Sequence, residues 1–352
     1  MPINISLLVE ALKDDYAIIA TTFGDKALHL ASLDPIPDLI LLDIKMPNMD
    51  GYEVLRKLKE NEKTRNISIM FITALSDDQN EETGLELGAV DYIRKPFNAN
   101  LVKTRVHNHL ELKRHRDHLE EMVSQRTEEI VHLQDALIGS MGSLAEYRDP
   151  ETGGHIKRTQ YYVKLLAETM KDHPPFKEFF DKQTIDILFK VAPLHDIGKV
   201  GVPDYILLKP GKLTCNEFTE MKKHVHYGTE VIKDIECNVG KDSLTNIAMQ
   251  LINGHHEKWD GSGYPNGLQG SEIPIPGRLM AVADVYDALI SKRIYKPPIP
   301  HSKAVQIIRK GRSTHFDPDI TDAFLAQEDN VRQVALKFAD CNEERRMLSC
   351  AS

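Results

Sequence analysis

The chain has 352 residues, more than one domain usually holds, so two domains with a connector are expected. With 41% hydrophobic and 28% charged residues and a mean hydropathy of -0.36, it has enough apolar material for packed cores, which excludes wholesale disorder. Lys and Arg total 44 against 53 Asp and Glu, and the resulting net charge of -9 repels polyanions and argues against a DNA partner.

No apolar run nears the roughly 18 residues of a membrane-spanning helix, and Met1 to Asp15 lacks the basic start of a signal peptide. A cytoplasmic chain with no membrane partner is therefore expected. Ile5, Leu8, Val9, Leu12 and Tyr16 follow helical spacing, with Asn4 as the expected N-cap. Next, short β-rich runs alternate with helical stretches, the pattern of a parallel sheet covered by helices. Ala17 to Phe23, Leu39 to Ile44, Ile67 to Thr73 and Val90 to Ile93 read as strands; Asp25 to Leu33, Gly51 to Glu60 and Asp78 to Leu87 read as helices. The continuously apolar Leu39 to Leu42 suits a strand buried on both faces, and it delivers Asp43 to the carboxyl end, where α/β folds place chemistry.

From Leu101 to Leu144 long charged side chains dominate, with no Gly before Gly139, and the segment reads as one helix. A heptad frame starting at Leu112 puts Leu112, Leu119, Arg126, Leu133 and Ser140 at a, and Arg116, Val123, Ile130, Leu137 and Leu144 at d. Seven of these ten are apolar, so a second copy of the same helix is the simplest partner and a homodimer through residues 101–145 is expected. The bland alternative is a solvated helix packed on its own domains.

After Tyr147 the periodicity is helical, interrupted by Gly/Pro-rich loops at Pro150 to Gly154, Pro203 to Gly211, Gly261 to Gly277 and Pro297 to Pro300. An all-α domain over 143–325 is expected, followed by a charged tail, 326–352, to which the sequence assigns no function. The four cysteines show no CxxC pairing, which fits reduced thiols.

Histidine is the unusual residue: there are 15, and His155, His195, His224, His226, His255 and His256 cluster within about a hundred positions. A lone His-Asp pair such as His195-Asp196 is more often structural than not. Its combination with Glu151, His155, His224, His255, His256 and the buried-helix Asp284 makes a shared metal site the economical account. Imidazole-rich ligation favours Fe, Mn or Zn over Mg. His226 reads as a surface or supporting histidine.

Two family resemblances follow from these motifs. Over 1–110, Asp43 with MPNMDG, Thr73-Ala74 and Lys95-Pro96 resemble a two-component receiver domain of flavodoxin-like fold. The resemblance implies that Asp43 accepts a phosphoryl group from a sensor histidine kinase, with Thr73 and Lys95 as its hydroxyl and cationic partners. The departure is at the start: receivers open with a central strand ending in an acidic pair that holds Mg²⁺, whereas here a helix comes first and Asp14 and Asp15 lie at its wrong end. A start lying further upstream is favoured over a degenerate docking module.

From Ser143 to Leu325, HDIGK (195–199), MKKH (221–224), HHEKWDGSGYP (255–265) and ADVYDAL followed by SKRIYK are similar to the HD-GYP phosphodiesterases. That resemblance implies hydrolysis of cyclic di-GMP to pGpG, and onward to GMP, by two or three divalent ions, iron or manganese. It implies Glu151, His155, His195, Asp196, His224, His255, His256 and Asp284 as ligands, with Asp196 as bridge and Glu151 marking a third ion. Lys199 would lie near the scissile phosphate, Arg293 and Lys296 would contact the dinucleotide, and Tyr264 would sit in the signature loop beside the catalytic centre. Rival readings are a silent cyclic-dinucleotide sensor, a hydrolase of another cyclic dinucleotide, and a coiled-coil scaffold.

Overall fold

A computed structural model describes residues 3–74, 84–148, 154–292 and 297–349. The chain divides into two compact units, Met1–Glu129 and Ile130–Ser352. In the first, α1 (Ile3–Leu12), α2 (Gly24–Ala31) and α3 (Gly51–Glu60) accompany the strands β1 (Leu39–Asp43), β2 (Ser68–Ala74) and β3 (Asp91–Lys95). All pairing is parallel, in the order β1-β2-β3, with Asp43 opposite Ile72 and Ala74 opposite Lys95. Alternation along the central strand builds two cores. Ile69 and Phe71 meet Val54, Leu55 and Leu58 of α3 on one face; Met70 meets Leu12 of α1 and Val102 and Val106 of the following helix on the other.

Some sequence expectations are corrected. Ala17 to Phe23 is not a strand, and Ile19 and Phe23 are exposed. β1 is bonded to β2 alone among the described residues, so Ala17 to Phe23 forms no ladder with it. Asn4 lies within α1 instead of capping it. Of the helix expected over Asp78 to Leu87, residues before 84 lie outside the described ones.

The connector is a single 50-residue helix, α4 (Ala99–Arg148). Its heptad residues Leu112, Leu119, Val123, Ile130, Leu133, Leu137 and Leu144 are each more than half exposed.

The second unit is helical: α5 (Gly154–Met170), α6 (Lys182–Val191), α7 (Asp204–Leu207), α8 (Cys215–Val239), α9 (Ser243–Gly254), α10 (Ile275–Ile290), α11 (His301–Lys310), α12 (Pro318–Ala326), α13 (Glu328–Lys337) and α14 (Asn342–Ser349). Their starts are marked by side chains that satisfy otherwise orphaned amides: Asp181 for α6, and capping boxes of Thr214 with Glu217 for α8 and Asp242 with Thr245 for α9. α10 is apolar around most of its girth and runs through the core, where Leu279, Met280 and Tyr286 pack with Tyr162, Leu188, Leu251 and Phe324. It approaches α9 so closely that a Cβ on Gly277 would lie 2.5 Å from the Gly254 Cα, which brings the end of α9 against the helix that carries Asp284. Residues past the expected boundary at Leu325 belong to the same core, because α13 and α14 bury Val331, Ala335 and Leu348 in it.

The 3-10 turn Ile197–Gly201 lies against α8. A Cβ on Gly198 would collide with the His224 carbonyl oxygen and the Gly228 amide, so only glycine lets the His195-Asp196 segment meet that helix. Gly198→Ala is expected to cost about 1–3 kcal/mol or more through forced displacement. Calorimetry should show a lower Tm with reduced metal retention, and a wild-type melting curve would contradict the close-approach argument.

Candidate metal centre

α6 ends at Val191, and Pro193 fixes the short turn Ala192–Leu194 that aims His195 and Asp196 inward between two 3-10 segments. His224 comes from the middle of α8, His255 caps α9 with His256 beside it, His155 is the second residue of α5, and Asp284 lies on α10. Five separate elements thus converge. Ligand atoms of Asp196, His224, His255 and His256 lie within 4.8 Å of one another, and those of His155, His195 and Asp284 do likewise.

Asp196 stands at the junction. Its Oδ1 is 3.4 Å from His224 Nε2 and 3.7 Å from His255 Nε2, while Oδ2 is 3.2 Å from His195 Nε2 and 2.8 Å from Lys199 Nζ. The rings are oriented from behind: Nδ1 of His195 faces the Ala192 carbonyl at 2.9 Å, that of His224 the Met221 carbonyl at 2.7 Å, and that of His255 the Ile252 carbonyl at 2.8 Å. A carbonyl can only accept, so each Nδ1 carries the hydrogen and each ring turns its Nε2 toward the centre.

The Nε2 atoms of His195, His224 and His255 and Oδ1 of Asp196 are buried without hydrogen-bond partners. Each such atom costs about 1–3 kcal/mol if left unsatisfied. Distributed over two adjoining donor groups, they are atoms that divalent cations would satisfy, and Nδ1 support to a carbonyl is the usual backing of a metal-bound imidazole. The donor set therefore fits a metal ion.

The protonation pattern agrees. Burial pushes His224 down to about 4 and His256 well below the ordinary imidazole value, helped in each case by neighbouring imidazoles, which leaves both neutral near pH 7. Burial alone would raise Asp196, but Lys199 and His195 outweigh it and hold the carboxyl well below the usual range. His195 goes the other way: desolvation opposes its charge, yet Asp196 raises it.

His155 is held differently. Its Nδ1 lies 2.8 Å from Asp287 Oδ2, and Asp287 also receives Arg158 through Nε at 2.7 Å and Nη2 at 3.0 Å. All three side chains are buried, with Ser291 bonded to both Arg158 and Asp287. Burial would raise Asp287, but Arg158 and His155 keep it ionised. The inward nitrogen of His155 lies 3.9 Å from carboxylate oxygens of both Asp284 and Glu146.

Glu146, Asp287 and Arg158 are absent from the sequence-derived set. Spacing carried a signal: Arg158 follows His155 by three, and Asp287 follows Asp284 by three on one helix face, but nothing in the sequence joins the two helices. Glu257 is another omission. Its buried carboxylate accepts amide hydrogens from Asn266, Gly267 and Leu268 at 2.7, 3.1 and 3.1 Å, and so shapes the loop that carries Tyr264. Tyr264 stacks on His256 with ring centroids 4.6 Å apart. His226 is exposed and 3.2 Å from Glu230, outside the cluster. Glu151, Arg293 and Lys296 lie outside the described residues.

In the first unit, strand register places Asp43, Thr73 and Lys95 at the carboxyl ends of adjacent strands, with Lys95 Nζ 2.6 Å from Asp43 Oδ2. Asp15 pairs with Lys103.

Asp287→Ala would leave Arg158 and His155 buried without their shared counter-charge, a loss of about 3–5 kcal/mol. Chemical denaturation of the full chain should show a correspondingly lower midpoint; a change below about 1 kcal/mol would mean the network is not held as described.

Two family models match the chain: an HD domain over residues 144–320 and a response regulator receiver domain over residues 1–107. A protein of Vibrio cholerae named "Probable cyclic di-GMP phosphodiesterase" is 49% identical over 99% of this chain and 80% of its own length. "Cyclic di-GMP phosphodiesterase response regulator RpfG" of Xanthomonas campestris is 33% identical over 86% of this chain and 78% of its own. A "3'3'-cGAMP-specific phosphodiesterase 2" of Vibrio cholerae is 38% identical over 58% of this chain and 37% of its own length.

Proposed function

Because the chain belongs to the HD-domain family of metal-dependent phosphohydrolases, joined to a response regulator receiver domain, we propose that it hydrolyses cyclic di-GMP to pGpG, with GMP as the further product. The observation that carries the reading is the Asp196 carboxylate, whose two oxygens face two adjoining groups of imidazole and carboxylate donors. Both full-length relatives described above are named for cyclic di-GMP.

His155, His195 and Asp284 would hold one ion and His224, His255 and His256 another, with Asp196 between them. The nitrogen-rich set suits iron or manganese. When bound, such ions lower the pKa of water toward about 7 and neutralise charge on a phosphodiester under in-line attack. The protein's own groups do the rest. Asp196, kept ionised, counters the metal charge. Lys199 brings a cation to the same centre, where a phosphate oxygen would approach. Tyr264, stacked on His256, would lie beside the bound dinucleotide, and Arg293 and Lys296 are assigned to contacts with it. Glu151 is assigned to a third ion.

The 38% identity to a cGAMP-specific enzyme supports a second reading, hydrolysis of another cyclic dinucleotide, and product chromatography on both substrates separates the two. Asp196→Ala is expected to abolish hydrolysis while the folded helical spectrum is retained, and chelation of the wild type should do the same. Ligand binding without turnover in the metal-loaded wild type would identify a sensor instead.

The receiver domain implies phosphorelay partners, for which a histidine kinase acting on Asp43 is the assignment. For assembly, the exposed a and d residues of α4 suit a second copy of the same helix, with receiver state changing how the paired helices pack. Replacing Leu119 and Leu133 by Asp should turn a dimer into a monomer in sedimentation; an unchanged mass would reject this seam.

A further inference from the structure

The geometry points to Asp340, in the C-terminal segment outside the HD-domain match, as a positioning residue for the His155 half of the metal centre. The inference rests on the two-pocket reading above. Asp340 lies between α13 and α14, and its carboxylate reaches back to the first turn of α5. Oδ1 accepts the Gly154 amide hydrogen at 3.0 Å and Oδ2 accepts Arg158 Nη1 at 2.7 Å. It therefore binds the backbone of the first described turn of the helix that carries His155, from a distant part of the chain. It also fixes one edge of the guanidinium whose other edge grips Asp287. Asp287 in turn holds Nδ1 of His155. A continuous chain of charge-assisted bonds thus runs from Asp340 through Arg158 and Asp287 to the ligand ring, three of its members being buried.

The clamp is itself held. The Phe338 carbonyl accepts the same Arg158 Nη1 at 2.9 Å, the Phe338 ring stacks on Tyr161 at 5.1 Å, and the buried Glu344 of α14 accepts the Asp340 amide at 2.9 Å. A Cβ on Gly154 would strike Arg158, the Phe338 carbonyl and Asp340, so the helix start is shaped to receive this segment. His224 and His255 take their orientation from carbonyls of their own helices, with no part played by the C-terminal segment. Loss of the clamp should therefore act on one pocket and spare the other.

The test is Mn²⁺ titration of the metal-stripped full chain by calorimetry, with melting temperature recorded in parallel. In Asp340→Ala, one of two ions should bind at least about tenfold more weakly while the other keeps its wild-type affinity, the scale typical for a residue that orients a metal ligand. In a His155→Ala background, adding Asp340→Ala should change Mn²⁺ binding no further. If Asp340→Ala does not fold, Asp340→Asn, equal in size but without the charge facing Arg158, is read in the same way. Unchanged affinities, equal weakening of both ions, or a further loss in the His155→Ala background would overturn the inference. A wild-type chain that binds a single ion would remove the two-pocket reading and this inference with it; two wild-type ions indifferent to Asp340 would remove the inference alone.

Discussion

A buried carboxylate surrounded by imidazoles is the constraint on which the second unit depends. Asp196 is almost fully enclosed, and an isolated charge there would be costly to bury. Lys199 and His195 compensate it, and the unsatisfied nitrogens of His224 and His255 face it. The arrangement gathers buried polar atoms that cations would satisfy together, and the surrounding helices fix their positions. Gly198 allows the Asp196 segment to touch α8, and the Gly254–Gly277 contact brings His255 to the helix of Asp284. Close packing here sets chemistry as well as stability.

The imidazoles of the centre are supported in two physically different ways. His195, His224 and His255 are each oriented by a carbonyl three residues earlier, so the local backbone suffices. His155 is oriented instead by Asp287, itself ionised by Arg158. Three of the rings are local in their support and His155 depends on long-range contacts, which makes His155 more responsive to changes elsewhere in the chain.

In the receiver unit Asp43 and Lys95 are in contact, on a three-stranded parallel sheet among the described residues. Alternation along β2 explains its two cores without further assumption. The Ala17 to Phe23 segment has β-like composition and no ladder, which illustrates that composition proposes a strand and only a neighbouring strand makes one.

Residue type and spacing alone determined the α/β then all-α order, the long uninterrupted helix and the set of imidazoles and acids that could share ions, because each of these is written in local periodicity or in chemically distinctive side chains. Tertiary structure decided which of them meet. His155, His195 and Asp284 form one group and Asp196, His224, His255 and His256 another, while His226 is turned to solvent. The support from Asp287, Arg158 and Glu257, and the return of the C-terminal segment to the core, join residues as much as 186 positions apart. No local pattern encodes such pairings, since they arise when several helices bury their apolar faces against one another and leave a few polar atoms to find partners inside.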